Sequence, residues 1–143
     1  MASEAILCVD DEPIILMSLK RMLAAAFKGI YRIEIALCAD EAFGLIEELR
    51  GEGISVRLVL SDWLMPGMKG DEFLTLLRER HPAIDSIMLT GQADEACLER
   101  ARRDAALFAC VRKPWRNAEL LETIKACLEE PGADDAAGSR PGL

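Results

Sequence analysis

Five side chains that could bind a cation or a phosphoryl group each follow a short apolar stretch of the sequence. They are two adjacent carboxylates, a third carboxylate, a hydroxyl and an ammonium, belonging to Asp10, Asp11, Asp62, Thr90 and Lys113. Three carboxylates brought together repel one another, and a hard divalent cation with oxygen ligands relieves that repulsion. The ammonium and the hydroxyl then need an anion, which a phosphoryl group on Asp62 would supply. The residue types therefore indicate phosphoryl transfer to a carboxylate.

Each of these residues also has an ordinary structural explanation when it is taken singly. An aspartate such as Asp10 or Asp62 commonly caps a helix or lies in a loop. Thr90 alone reads as a hydroxyl at the end of a strand, and Lys113 alone as a surface lysine. Their joint occurrence after four of five apolar stretches favours a common site.

Apolar stretches and helical periodicity alternate five times along the chain, which predicts the elements that position these side chains. The predicted strands are Ala5–Val9, Tyr31–Leu37, Val56–Ser61, Ile84–Leu89 and Leu107–Val111. A helix follows each strand. The first begins at Pro13, and the second is capped by Asp40 and runs to about Arg50. The other three span Asp71 to about Arg80, about Asp94 to Arg103, and Asn117, as a cap, to about Glu130. This alternation predicts an α/β fold with parallel strands and right-handed crossovers. In such a sheet ligands bind at the carboxyl ends of the strands.

Length and composition indicate one globular domain. The chain has 143 residues and a net charge of −8, so we expect no direct binding of nucleic acid through a general basic field. No apolar run approaches the ~20 residues that span a bilayer, and the start of the chain lacks a basic segment. These features predict a cytoplasmic protein that does not associate with membranes. We expect a folded domain over residues 1–130 and a disordered tail or linker over residues 131–143.

The five cysteines show no paired spacing, and the chain has a single histidine. We expect the cysteines to be reduced and mostly buried, and to form neither disulfides nor a zinc site. A catalytic or metal-binding role for the lone His81 is not expected, because no second histidine exists to share a site.

Four segments of the sequence resemble the signature segments of response regulator receiver domains, the signalling partners of histidine kinases. They are ILCVDDEP, LVLSDWLMPGMKGDEFL, IMLTGQAD and VRKPW, and the resemblance runs from about residue 4 to about residue 129. It implies a doubly wound, flavodoxin-like sheet of five parallel strands in the order 2-1-3-4-5 with five helices. It also implies a two-component signalling domain, not an enzyme. Such a domain accepts a phosphoryl group from a histidine kinase or phosphotransfer protein and relays its state by a conformational change.

The resemblance also assigns roles to individual residues. Asp62 becomes the phosphoacceptor, and Thr90 and Lys113 contact the phosphoryl group. The implied cofactor is Mg²⁺, held by Asp10, Asp11, Asp62 and the backbone carbonyl of Leu64. The family also favours a cis peptide bond at Lys113–Pro114. We expect the glycines of the PGMKG stretch to supply the backbone conformations that bring this loop close to the cation.

Two positions depart from the family's usual pattern. Receiver domains usually carry Tyr or Phe three residues before the lysine, as a switch partner of the threonine, whereas this chain carries Cys110. Phe108 lies two residues earlier, on the same strand face if the period of two holds. We therefore predict Thr90 and Cys110 as switch residues, with the signal passing mainly through the loop and helix after Thr90. Leu64 lies two residues after the acceptor and cannot orient an attacking water, whereas Gln92, two residues after Thr90, could.

The first helix offers a surface for a partner. Its apolar residues at helical spacing, which we expect to pack on the sheet, are Leu16, Leu19, Leu23 and Phe27. Ile14, Met17 and Arg21 fall on the opposite side, and two exposed apolar residues beside the acidic pair predict a docking patch for the kinase. Scattered surface apolarity is the alternative explanation. The output is an unknown partner or domain, with a homodimer as one option, and we expect the exposed readout face near Arg100, Arg102, Arg103 and Arg112.

Two other functions agree with part of the sequence. A phosphatase or phosphotransferase of the haloacid dehalogenase type needs a second acid two residues after the nucleophile, and Leu64 occupies that position. A receiver-like protein-binding module with altered or lost phosphorylation switching is the second alternative. The intact set of Asp11, Asp62, Thr90 and Lys113 argues against it, whereas Cys110 keeps it open.

Overall fold

Five strands and five helices alternate strictly along the chain. The computed structural model describes residues 2–65, 67–91 and 95–129, without the side chains of residues 97, 98, 100 and 101. The strands are β1 (Glu4–Val9), β2 (Arg32–Ala36), β3 (Ser55–Asp62), β4 (Asp85–Thr90) and β5 (Ala109–Arg112). The helices are α1 (Pro13–Phe27), α2 (Ala39–Gly51), α3 (Gly70–Arg80), α4 (Glu95–Asp104) and α5 (Asn117–Glu129). The predicted tail at residues 131–143, Gln92 and Asp94, the predicted start of the fourth helix, lie outside the described residues.

The strands form one parallel sheet in the order β2-β1-β3-β4-β5. The predicted α/β fold and strand order are therefore confirmed. The central strands are apolar and buried along most of their length, as expected for a sheet covered on both faces. Among the described helices, none combines the length and apolarity needed to cross a bilayer.

Two apolar clusters, one on each face of the sheet, make up the core. The α2/α3 cluster includes Ile46, Leu49, Phe73, Leu74 and Leu77 from those helices. The α1/α5 cluster includes Leu16, Leu19, Leu23, Phe27, Leu120 and Ile124. The predicted inward face of α1 is therefore confirmed. Free cysteines contribute to this packing, with Cys8 and Cys127 buried in the α1/α5 cluster.

The start of α2 differs from the prediction that Asp40 caps it. Cys38 is the residue before the first turn, and its side chain makes no capping hydrogen bond. Asp40 instead lies within the first turn, where a negative charge is favoured by the helix dipole. Glu41 reaches back and accepts a hydrogen bond from the backbone N–H of Leu37 at 3.3 Å. The last helix likewise begins at Asn117 itself, not after it.

The residues that lead into β5 differ from the prediction that Phe108 and Cys110 share a strand face. Phe108 and Cys110 do not share a face: Phe108 packs against the α1/α5 cluster, whereas Cys110 packs against the α2/α3 cluster. The reason is that the strand begins only at Ala109, so Phe108 precedes the regular alternation. Ala106, two residues before Phe108, has a left-handed backbone conformation with φ of 52°.

A buried ion pair holds the amino end of the sheet. Arg57 in β3 and Asp85 at the start of β4 pair through side chains that are 10% and 2% exposed. Arg57 also donates a hydrogen bond to the backbone carbonyl of Cys127 in α5 at 3.1 Å. One side chain thus joins two strands to the last helix, at the end of the sheet opposite the predicted site.

Candidate phosphoacceptor site

The predicted site residues meet at the carboxyl ends of the strands. Asp10 follows β1, Asp62 ends β3, Thr90 ends β4 and Lys113 follows β5. A cleft of about 310 Å³ lies at these strand ends, and its lining residues are Asp11, Glu12, Asp62, Trp63, Leu64, Thr90, Gly91 and Lys113. The parallel sheet produces this convergence because every strand ends at the same edge.

Three carboxylates cluster in the cleft. One oxygen each of Asp10, Asp11 and Asp62 lies within 4.8 Å of the others. Asp10 and Asp62 are only 1% and 6% exposed, whereas Asp11 is exposed to solvent. Buried carboxylates at this spacing match the oxygen ligands that hard divalent cations prefer, and the exposed member leaves room for bound water. The donor set therefore fits Mg²⁺.

Lys113 supplies the positive charge of the site. Its Nζ lies 3.0 Å from Oδ1 of Asp62 and 3.3 Å from Oδ2 of Asp10. Burial lowers the pKa of Lys113, but the hydrogen bond to Asp62 and the charges of both aspartates outweigh it, so the pKa of this lysine is raised. The ammonium therefore stays charged at neutral pH and bridges two of the three carboxylates.

The environment of Asp10 disfavours the charged form of its carboxylate. Burial raises the pKa of Asp10, and the nearby charge of Asp62 raises it further. The backbone N–H of Glu12, which donates to Oδ1 of Asp10 at 2.9 Å, and the ammonium of Lys113 offset part of this effect. The net result is a raised pKa, which marks Asp10 as a carboxylate that gains from a bound cation.

The carboxylate of Asp62 is oriented by two donors on one oxygen. The backbone N–H of Trp63 donates to Oδ1 at 2.8 Å, and Lys113 contacts the same oxygen. The carbonyl of Asp62 accepts a hydrogen bond from the hydroxyl of Ser61 at 3.0 Å. Asp62 is thus fixed through both its side chain and its backbone.

Thr90 lies between the strands that carry the aspartate and the lysine. It is 1% exposed and lines the cleft. Its carbonyl accepts a hydrogen bond from the backbone N–H of Lys113 at 2.8 Å, and the Lys113–Pro114 peptide bond is cis, as the resemblance implied. The structure therefore brings together the five side chains singled out in the sequence.

Cys110, the predicted switch partner, lies apart from the cleft. It is half-buried, faces the α2/α3 cluster and pairs in register with Met88 of β4. Burial raises the pKa of the Cys110 thiol, although the charges of Arg102 and Arg112 lower it in part. The side chain of Cys110 is therefore a small, neutral thiol on the face of β5 that packs against the α2/α3 cluster.

The predicted docking residues lie on the outer face of α1 near the cleft. Ile14 is 84% exposed and Met17 is 53% exposed, and Arg21 is also exposed. Leu64, at the rim of the cleft, is 40% exposed. An apolar surface thus adjoins the acidic cluster.

Two residues of the site were not given their roles by the sequence analysis. Trp63 directly follows Asp62, orients its carboxylate through a backbone N–H and is 9% exposed within the α2/α3 cluster. Lys69 places its ammonium 5.1 Å from the centre of the Trp63 ring. Gly70 was expected to serve the loop by its conformational freedom, yet it is the first residue of α3 and packs against the backbone of Asp62. The feature of the sequence that could have pointed to Trp63 is its position directly after Asp62 in LVLSDW.

The family comparison agrees with this geometry. The sequence pattern of the response regulator receiver domain matches residues 6–125, which is most of the chain. The chain belongs to this family. Receiver domains of two-component response regulators accept a phosphoryl group as their standard role, and they work with histidine kinases and output domains.

Individual relatives extend the comparison. The chain is 36% identical over 90% of its length to the sensor kinase CckA of Brucella abortus, and 34% identical over 89% of its length to the hydrogenase transcriptional regulatory protein HoxA of Cupriavidus necator. It spans only 13% and 24% of those two proteins. Among solved structures, a CheY-like receiver domain protein from Methanospirillum hungatei matches with a TM-score of 0.76 and 34% identity, over 90% of this chain and 95% of that one.

Proposed function

We propose that Asp62 of this receiver domain accepts a phosphoryl group from the phosphohistidine of a kinase or a phosphotransfer protein. The single observation that carries the proposal is the ammonium of Lys113, placed 3.0 Å from Oδ1 of Asp62 within an acidic cluster. A carboxylate oxygen of Asp62 attacks the phosphorus, the phosphorus–nitrogen bond breaks, and its electron pair stays with the imidazole. The product is an aspartyl phosphate, so the domain is modified itself and does not turn over a separate substrate.

The residues that would hold Mg²⁺ in this reaction are Asp10, Asp11, Asp62 and the backbone carbonyl of Leu64. The close spacing of the three carboxylates supports this assignment. A bound Mg²⁺ would neutralise negative charge on the phosphoryl oxygens. Asp10 would bind as the fully buried ligand and Asp11 as the solvent-facing one.

Lys113 and Thr90 act on the phosphoryl group in this proposal. Lys113 moves from the carboxylates to a phosphoryl oxygen, because the transferred group brings about −1.5 to −2 charges at neutral pH. The hydroxyl of Thr90 donates to a second oxygen and gains a charge-assisted hydrogen bond. Both residues line the same cleft as Asp62, which supports their joint action.

The donor protein docks, in this proposal, on the exposed face of α1 formed by Ile14, Met17 and Arg21. The two apolar side chains are largely solvent-exposed beside the acidic cleft, and the arginine extends the patch along the helix. A helix of the donor protein that presents apolar residues would bury this face and bring its phosphohistidine to Asp62.

The output signal starts at Thr90 in this proposal and leaves through α4 and β5. Cys110 is too small to move as a lever, so the displaced backbone after Thr90 is the main element of the switch. Residues 92–94 of that loop and the side chain of Arg100 lie outside the described residues, but Arg102, Arg103 and Arg112 are exposed on the adjoining surface. A partner protein, an output domain or a second copy of the chain would contact this surface.

The direct test is mass spectrometry of the domain after incubation with acetyl phosphate and Mg²⁺. We expect one phosphoryl mass, lost in Asp62→Asn, which keeps the volume and removes the charged nucleophile. Asp11→Ala should reduce labelling without unfolding the domain, and a chelator should reduce labelling of the unaltered domain. Labelling of Asp62→Asn at the normal rate would refute the assignment of the acceptor.

A second function is favoured by one observation, the small Cys110 in place of an aromatic residue. In this alternative the domain is a protein-binding module whose phosphorylation is uncoupled from partner binding. The two functions differ in one measurement, the affinity for an identified partner with and without labelled Asp62. An unchanged affinity would support the module.

A further inference from the structure

Gly70 lies against the backbone of the proposed acceptor. A β-carbon added to this glycine would lie 2.3 Å from the carbonyl oxygen of Asp62 and 2.8 Å from Cα of Trp63. Contacts of a β-carbon below 3.0 Å are essentially never found, and both neighbours are backbone atoms that no side-chain rotation can move. The first residue of α3 therefore fits against the end of β3 only without a side chain.

Space, and not backbone conformation, requires glycine at this position. The described glycines with a left-handed φ are Gly29, Gly53 and Gly67. Gly70 is not one of them, so its backbone angles are open to alanine as well. Backbone strain is therefore no source of a loss of function in Gly70→Ala, and the contact with Asp62 and Trp63 is the source that the structure shows.

A continuous chain of contacts leads from Gly70 to the reacting carboxylate. The backbone N–H of Gly70 donates to the carbonyl of Trp63 at 2.7 Å, and the N–H of Trp63 donates to Oδ1 of Asp62 at 2.8 Å. That same oxygen lies 3.0 Å from Nζ of Lys113. A shift of the Asp62–Trp63 peptide thus changes the position of the carboxylate relative to the ammonium.

We infer that Gly70 is a positioning residue for phosphoryl transfer, which sets Asp62 in place by the close approach of α3. This inference rests on the proposed role of Asp62. To accommodate a β-carbon, the contact must open from 2.3 Å to the 3.4 Å of an ordinary van der Waals contact. Misplacement of a reacting group by ~1 Å can cost on the order of 100-fold in rate.

The test compares Gly70→Ala with Gly44→Ala. Gly44 lies inside α2, and a β-carbon there would meet nothing within 4 Å, so it is a matched helical control. Labelling by acetyl phosphate with Mg²⁺ is measured at temperatures where circular dichroism shows both variants folded.

We expect Gly70→Ala to lower the labelling rate at saturating donor by about 10- to 100-fold. The half-saturating donor concentration should stay unchanged, because Gly70 does not line the cleft. Gly44→Ala should match the unaltered domain.

A spectroscopic readout separates displacement from loss of stability. In a Trp115→Phe background Trp63 is the sole tryptophan, and it lies directly against Gly70. We expect Gly70→Ala to shift the emission of Trp63 in the folded protein, and Gly44→Ala to leave it unchanged. Unshifted emission together with a normal labelling rate would overturn the inference.

The remaining outcomes are also decisive. If Asp62→Asn abolishes labelling while Gly70→Ala labels at the normal rate, the inference about Gly70 fails and the proposed function stands. If Asp62→Asn labels normally, the proposed function itself fails. Should Gly70→Ala not fold, it is combined with Gly44→Ala, which stabilises a helix interior. Failure of that double variant to fold at low temperature would show a requirement for folding and overturn a role in positioning.

Discussion

The ammonium of Lys113 lies 3.0 Å from Oδ1 of Asp62, although the two residues are 51 positions apart in the chain. Lys113 follows β5 and Asp62 ends β3, so the lysine side chain passes over the end of β4, where Thr90 is buried. The ammonium thus occupies the carboxylates before any phosphoryl group arrives. Several measurable consequences arise from this pairing and from the surfaces around it.

Replacing Lys113 by methionine should separate metal binding from phosphoryl transfer. Loss of the nearby positive charge should raise the affinity for Mg²⁺ by about tenfold or more, because a cation no longer competes for Asp10 and Asp62. The labelling rate should fall about 10²–10³-fold, as expected when one preorganised donor is removed. Titration of Mg²⁺ followed by tryptophan fluorescence measures the first effect. The exposed Lys125→Met is the control, and equal Mg²⁺ affinity in both variants would contradict the competition.

Asp10 should make the metal-free domain less stable as the pH rises. The pKa of Asp10 is raised in the folded state, so the folded state binds the carboxyl proton more tightly than the unfolded state does. The stability that this proton contributes is present below the unfolded-state pKa and is lost as the pH rises through the folded-state pKa. Asp10→Asn should therefore melt at a higher temperature than the unaltered domain in chelator at neutral pH, by about 2–4 °C per kcal/mol recovered.

The difference in melting temperature should shrink on acidification and disappear in the acid limit, where Asp10 is protonated in both states. Mg²⁺ should stabilise the unaltered domain and leave Asp10→Asn almost unaffected. Scanning calorimetry at several pH values, with chelator or Mg²⁺, measures both effects. A constant difference across the pH range would contradict the assignment to Asp10.

Changes on the outer face of α1 should distinguish protein donors from small donors. The double substitution Ile14→Glu with Met17→Glu places two charges on the proposed docking face and should reduce transfer from the kinase by more than tenfold. Labelling by acetyl phosphate should be unchanged, since neither side chain lines the cleft. Ile30→Glu is a matched control, because Ile30 is 67% exposed but follows α1 at its far end. Equal loss with both donors would indicate misfolding instead.

Thr90→Ala and Cys110→Ser should have opposite effects on signal output. Thr90→Ala removes the hydroxyl that follows the phosphoryl charge, so we expect Asp62 to be labelled while the change in partner affinity or dimerisation is lost. Cys110→Ser keeps the size of the side chain and should leave that change intact. Analytical ultracentrifugation and partner titration with labelled protein are suitable measurements. Strong uncoupling by Cys110→Ser would make Cys110 itself a switch element.

Arg57→Met should destabilise the fold without touching the site. The substitution leaves the buried charge of Asp85 without its arginine, which typically costs about 3–5 kcal/mol. The double variant Arg57→Met with Asp85→Leu should recover most of this loss, because replacing both members of a buried pair is often neutral. Urea unfolding followed by circular dichroism measures both variants. Labelling of the folded fraction should remain normal in each.

The strand ends could be predicted because each strand is a short apolar stretch that stops at a polar residue. That pattern located Asp10, Asp62, Thr90 and Lys113 without any structure, and the parallel arrangement then brought them together. The inward face of α1 could also be predicted, since Leu16, Leu19, Leu23 and Phe27 recur at helical spacing. Both features depend on local periodicity, which the sequence contains in full.

Features that depend on contacts between distant backbones could not be predicted. The period of two placed Phe108 on the face of Cys110, but the strand begins only at Ala109, so the alternation does not extend back to Phe108. The glycine at position 70 was visible, yet the atoms it touches belong to β3 and become neighbours only in the fold. The pairing of Arg57 with Asp85 likewise requires the register of two strands.

Both ends of the folded unit lie at the edge of the sheet that faces away from the cleft. The carbonyl of Ser3 accepts a hydrogen bond from the backbone N–H of Ser55, and the carbonyl of Cys127 accepts one from Arg57. Both contacts adjoin the start of β3, whereas Asp62 ends it, roughly 20 Å away at ~3.3 Å per residue. The attachment points of the folded unit are therefore remote from the cleft, so a fusion partner, a tag or a surface tether joined there begins on the side opposite to Asp62.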